Sequence, residues 1–222
     1  MARATAPSDF MADPATFLAD AKAERRLQDY FDRYTGSWFE RLADEDPHRF
    51  TARDIVAVST LAVDIPAPTS IWLLTDGAAK ASALLERIPP QQAIWDEAAD
   101  LSREGPAWKL WALVHASGWP EWRGGMGPTK TSKLLAAKRP HLVPVQDKVV
   151  TTTLFGKPRV DGYWAAWRRR LSGPAGAELR ASAESIRDAV PAASGLSVLR
   201  VLDIVVWMAG SEADRARRSG PA

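Results

Sequence analysis

Residues 124–150 read GGMGPTKTSKLLAAKRPHLVPVQDKVV. The stretch opens on Gly125-Met126-Gly127, a turn in which the backbone can come close to another group. The spacing that follows predicts a helix from Thr129 to about Ala137, with Lys130, Lys133 and Lys138 on or beside it. An apolar run, Leu142-Val143-Pro144-Val145, then leads to Asp147, the only acid between Glu121 and Asp161. Asp147 stands where a new helix would begin, over DKVVTTTLF, and an Asp there is a natural N-cap.

These features describe a place for an anion. A helix start directs unbonded N–H groups and a partial positive charge at a phosphate. Lysines add attraction that does not depend on nucleotide sequence. One carboxylate in so basic a stretch is either a helix cap or a group with chemistry to perform.

The pattern resembles the hairpin and second helix of the helix-hairpin-helix DNA glycosylase superfamily, the group of endonuclease III and its relatives. Gly125-x-Gly127 is followed by Thr, Lys and small residues and then Leu134-Leu135. In that superfamily a catalytic Asp follows the second glycine by some twenty residues, at a helix start. Here Asp147 follows Gly127 by twenty, and Val145 precedes it by two. The matching stretch is 27 of 222 residues. The resemblance is to a divergent, actinobacterial-type branch. It implies an all-α fold of two helical lobes, with the hairpin and the Asp lining a cleft and the two ends of the chain sharing a lobe. It also implies the excision of a damaged or modified base from double-stranded DNA after base flipping. The hairpin element would span about residues 106–138.

Two departures shape the expected chemistry. Members with lyase activity carry a Lys two positions after the second glycine. Here that position is Thr129, and Lys130 is one further on, which turns its side chain by about 100° on a helix. The resemblance therefore implies a monofunctional glycosylase with Asp147 as the catalytic group and Lys130 as the less favoured nucleophile. Some relatives hold an iron–sulfur cluster on four cysteines, and this chain has no Cys. No cofactor is expected beyond a monovalent cation, K⁺ or Na⁺, which hairpin carbonyls of this family often bind. The expected DNA contacts are Gly125, Gly127, Thr129, Lys130, Lys133 and Lys148.

The rest of the composition is that of a globular chain, 46% hydrophobic and 25% charged. No apolar run approaches the twenty residues of a membrane span, and the first thirty residues contain no signal-peptide core. The expectation is a cytoplasmic monomer, the lack of Cys fitting a reducing compartment. Net charge is only +2, yet residues 123–170 hold eleven Lys and Arg against Asp147 and Asp161, or +9. That asymmetry reads as an electrostatic footprint for nucleic acid, or else as a solvated basic face. The ten tryptophans are expected mostly in the core, with one or two available to stack on a base.

Helical periodicity covers most of the chain. A helix or two, broken at Thr35-Gly36, is expected over 14–43. Further helices are expected over 52–63, 77–88, 91–103, 106–117, 148–155, 162–171, 175–190 and 194–209, with a short segment at 70–74. The β-branched run Val149 to Thr153 makes a strand the rival over 148–155. Residues 1–13 read as a disordered N-terminus, 14–210 as the folded domain and 211–222 as a flexible tail. His48, His115 and His141 have no metal-ligand spacing, and no phosphate loop, dinucleotide fingerprint or nucleophile elbow is present. The competing readings are a non-catalytic helix-hairpin-helix DNA-binding protein and an interaction protein whose resemblance is accidental.

Overall fold

The computed structural model describes residues 9–117 and 125–219, and every regular element among them is helical. In chain order these are α1 (Pro14–Leu18), α2 (Ala23–Arg33), α3 (Phe39–Leu42), α4 (Ala52–Ser59), α5 (Ala67–Leu74), α6 (Ala78–Leu85), α7 (Pro106–His115), α8 (Pro128–Lys138), α9 (Lys148–Phe155), α10 (Tyr163–Leu171), α11 (Gly173–Ala189) and α12 (Val198–Arg218). Single 3-10 turns fill Thr35–Trp38 and Pro191–Ala193. The protein is all-α over the described residues.

The chain divides into two compact units. One is continuous, Thr35–Val145. The other joins Met1–Tyr34 to Gln146–Ala222.

In the discontinuous unit α12 is the central element, packed on α1, α2, α9 and α11. Its residues Val198 to Val206 are all buried, as their nearly unbroken apolar run requires. Ser197 caps it, its side chain accepting from the Arg200 N–H at 3.2 Å. The helix does not end at 209. It runs to Arg218, because Gly210 allows a close crossing and its last turns are held from α2. A Cβ at Gly210 would lie 2.4 Å from Thr153 Oγ1 on α9. Arg26 binds Glu212 at 3.0 Å, and Arg215 donates to the Tyr34 hydroxyl at 3.0 Å.

The helical stretch over 14–43 is broken at Thr35-Gly36, where a 3-10 turn separates α2 from α3, and also earlier, at Ala19–Lys22. Asp20 accepts from the Lys22 N–H at 2.9 Å and binds Arg26 at 2.7 Å, which starts α2 afresh. Residues 9–12 lie along α9. The Met11 and Ala12 N–H groups donate to the Leu154 carbonyl, and Phe10 packs 4.5 Å from Phe155 and 5.1 Å from Trp167. Residues 1–8 and 220–222 of the two expected tails lie outside the described residues.

In the continuous unit α4 packs on α3, α5 and α8, while α7 packs on α6 and α8. The helix expected over 91–103 is absent. Asp96 accepts from the Ala93 N–H at 2.7 Å and Asp100 from the Ser102 N–H at 2.9 Å, local turns that compete with a helix. Ile94 is instead tied to the distant His141 carbonyl at 3.0 Å. The connection from 118 to 124 lies outside the described residues, so the turn between α7 and α8 is not described.

Candidate functional site

The start of α8 is uncapped by any side chain. Gly127 occupies the N-cap, with Pro128 at the first helical position. Gly125 has φ +126°, and a Cβ there would lie 2.3 Å from Pro66 Cγ, so only glycine fits. Gly127 is different. Its φ of −82° suits any residue, and a Cβ would meet nothing within 4 Å. Thr129 and Lys130 are half-buried on the first turn.

The other lysines of this segment turn inward. Lys133 is buried, and its ammonium donates to the Leu61 carbonyl at 2.9 Å, just past the end of α4. Lys138 is buried against Asp54 at 2.8 Å and also donates to the carbonyls of Asp44 and Asp46. The Arg139 guanidinium is buried too. It donates to the carbonyls of Leu85, Ile88, Pro47 and Lys138, and burial pushes it down to about 10. These three cations organise the continuous unit. Lys133 is thereby corrected as a phosphate contact, since its amine faces protein and not solvent.

Further along, Arg169 binds Asp9 at 2.9 Å and Arg170 binds Asp13 at 2.8 Å. The +9 of residues 123–170 is thus not one exposed surface. It is divided between the two units, and Lys133, Lys138, Arg139, Arg169 and Arg170 are engaged by protein groups. Lys148, Lys157 and Arg159 are exposed.

Asp147 is the N-cap of α9, and its Oδ1 accepts from the Val149 N–H at 2.9 Å. That cap is why the β-branched run Val149 to Thr153 is helical. Thr151 stitches the turn further, donating to the Asp147 carbonyl or to that of Pro158. Asp147 is half-exposed and Lys148 exposed. Behind it lies the buried Tyr163. Burial pushes the Tyr163 phenol well above its ordinary value, and the carboxylates of Asp203 and Asp147 push it the same way. Arg200 donates to Asp203 and, at 2.6 Å, to the Tyr30 hydroxyl. This polar group inside the discontinuous unit was not expected from sequence, where Arg200 and Asp203 sit in an apolar run.

A second unexpected feature lies on α7. Trp108 stacks on Trp111 with centroids 5.1 Å apart and planes at 15°. Trp111 stacks on His115 at 4.5 Å and 18°. The Arg103 guanidinium stands 5.4 Å over Trp108. The i, i+3, i+7 spacing was visible, but periodicity reports a shared face and not ring planes. Trp164 and Trp167 are buried as expected, Trp38 is half-exposed, and Trp119 and Trp122 lie outside the described residues.

The chain belongs to the family of unknown function DUF6308, whose profile matches residues 23–210. No curated protein and no solved structure matches it.

The family match runs from α2 into α12 and so includes both the start of α8 and Asp147. Among the described residues no group of three or more His, Asp or Glu side chains could hold a metal ion, and no helix is long and apolar enough to cross a membrane.

Proposed function

We propose that this protein is a DNA N-glycosylase that removes a damaged or modified base from double-stranded DNA. The observation that carries the reading is an order along the chain: a glycine-capped helix start at Gly127, then a carboxylate capping the next helix at Asp147, twenty residues on. Asp147 is held by the Val149 N–H and is half-exposed, so it can meet a substrate without rearrangement.

In this reading the target nucleotide leaves the stack at a cost of a few kcal/mol. The amides at the start of α8, with Gly125, Gly127, Thr129 and Lys130, hold phosphates, and Lys148 adds a further cation. The bond from C1′ to the base breaks, and its electron pair leaves with the base. The Asp147 carboxylate stabilises the sugar cation and takes a proton from the water that adds to C1′, the division of labour known from glycoside hydrolysis. Thr129 offers no amine, so the product is an abasic site and not a strand break through a Schiff base. Hypermodified phage bases belong among the candidate substrates, which would make the activity a defence.

The second reading is a DNA-binding protein without catalysis. It is favoured by one observation, that Asp147 has a complete structural role as the cap of α9. Incubating the protein and Asp147→Asn with alkylated, uracil-containing, oxidised and glucosylated-hydroxymethylcytosine DNA separates the two. Alkali-revealed abasic sites from the parent and none from the Asn form support the glycosylase. Equal, salt-dependent binding by both forms with no product supports the binding protein.

A further inference from the structure

The rings of α7 form a ladder beside its buried stripe. Ala107, Leu110 and Val114 already bury the helix against its neighbours. Trp108 and Trp111 lie beside that stripe, half-exposed, and His115 is exposed at the end. A half-exposed tryptophan gains from a ring stacked on its face. Here each ring covers the next, from the Arg103 guanidinium through Trp108 and Trp111 to His115, in planes 15° and 18° apart. Among the described residues no ring covers the outer face of His115. The ladder is therefore a parallel stack, closed by a cation at one end and ending in an exposed imidazole at the other.

What extends a parallel stack of this kind is another planar ring. His, like Phe, Tyr and Trp, accepts an unstacked base on its face, and such stacking tolerates any base. α7 itself carries no acid; Lys109 upon it pairs with Glu104 just before it at 3.4 Å, so the cation left beside the ladder to favour a ligand that brings phosphates is Arg103, over Trp108. His115 also stands at the end of α7 from which the chain leads to α8, the helix assigned above to DNA phosphates.

We propose that an unpaired nucleobase of DNA stacks on His115 and extends the Trp108–Trp111–His115 ladder. This deepens the proposed function and rests on its premise that the protein binds DNA. His115 acts as a platform and takes no part in bond breaking. The ladder makes the protein hold DNA that presents an extrahelical base more tightly than DNA that does not.

The test compares two duplexes by fluorescence anisotropy at one salt concentration. One carries a single bulged thymidine. The other carries a tetrahydrofuran abasic analogue at the same bulge. The full chain is expected to prefer the bulged base by about tenfold, in the range of one stacked base. His115→Ala is expected to bring the ratio of the two affinities close to one, and His115→Phe, which keeps a ring face, to restore it. A parent that binds both bulges equally, or an H115A form that keeps the full ratio, overturns the ladder. Binding to fully paired duplex, read in the same series, separates the premises. Where the parent binds paired duplex but shows no bulge preference, the ladder alone falls. Where it binds no DNA at any salt concentration, the proposed function falls and the ladder with it.

Discussion

The ammonium of Lys138 stands 2.8 Å from the Asp54 carboxylate, and neither side chain is more than 1% exposed. Lys138 also donates to the carbonyls of Asp44 and Asp46, while Asp54 accepts from the N–H groups of Asp44 and Thr51. The pair is thus fully hydrogen-bonded, and it ties the end of α8 to the start of α4. Removing one partner leaves an uncompensated buried charge, which costs about 3–5 kcal/mol. Lys138→Met is expected to lower the urea midpoint accordingly. The double variant Lys138→Met/Asp54→Leu should recover much of that loss. Single and double variants of equal stability would show that the pair does not act as a unit.

Gly210 reverses the usual sign of a helix substitution. Ala for Gly in a helix interior normally gains close to 1 kcal/mol. Here the new Cβ would lie 2.4 Å from Thr153 Oγ1 and 2.8 Å from Val149 Cγ1, both on stiff β-branched side chains of α9. Gly210→Ala is expected to destabilise by about 1–3 kcal/mol. Adding Thr153→Ala, which removes the nearest atom, should return part of it. Thermal unfolding of the two forms checks the sign, and a G210A form more stable than the parent would contradict the close crossing.

That crossing also shows where the sequence stops being informative. The apolar run Val198 to Val206 announces a buried helix, and DKVVTTTLF announces one with a cap, since both signals are local. Gly210 looks local too, and it reads as an end. Its role depends on Val149 and Thr153, some sixty residues away, so the local pattern ends the helix at 209 and reads its last two turns as a tail. The charges fail for the same reason. Lys133, Lys138 and Arg139 sit in a run that reads as surface, but their acceptors are carbonyls at Asp44, Asp46, Pro47, Leu61, Leu85 and Ile88. Backbone carbonyls leave no trace in a count of charges. At the candidate site Asp147 and its cap are legible because the acid, the helix start and the donating Val149 N–H lie within three residues.

Acid should destabilise the protein in two stages. His115 is exposed, but partial desolvation of its ring, which stacks on Trp111, holds the imidazole below its ordinary value of 6.5. The folded state therefore takes up its proton later than the unfolded chain, and stability present above pH 6.5 is lost as the pH falls through that range. The second stage lies lower. The Lys22 N–H holds the Asp20 carboxyl below 3.8, and the Asp46 N–H does the same for Asp44. Their contribution is present above 3.8 and is lost as the pH falls through the lowered folded values. Guanidinium midpoints at stepped pH should decline in both windows. His115→Phe should flatten the upper one and leave the lower one unchanged, and a parent whose midpoint is constant from pH 7.5 to 5.5 would contradict the partial desolvation of the His115 ring.

The cap that Asp147 provides and the catalytic role proposed for it can be separated by choosing what replaces it. Its Oδ1 accepts from the Val149 N–H, and the β-branched run behind it has poor helix propensity, so α9 depends on that cap. Asn caps a helix about as well as Asp, whereas Ala costs roughly 1 kcal/mol. Asp147→Asn should therefore unfold close to the parent and Asp147→Ala about 1 kcal/mol earlier, both read from denaturant midpoints. Base release divides the variants differently. An uncharged amide neither stabilises a sugar cation nor accepts a proton from water, so both variants should lose at least a hundredfold, the scale of general acid–base contributions. An Asn form with parental stability and parental base release would place the chemistry on another residue. An Asn form with parental stability and no base release would assign the charge of Asp147 to the reaction, independently of its work at the helix start.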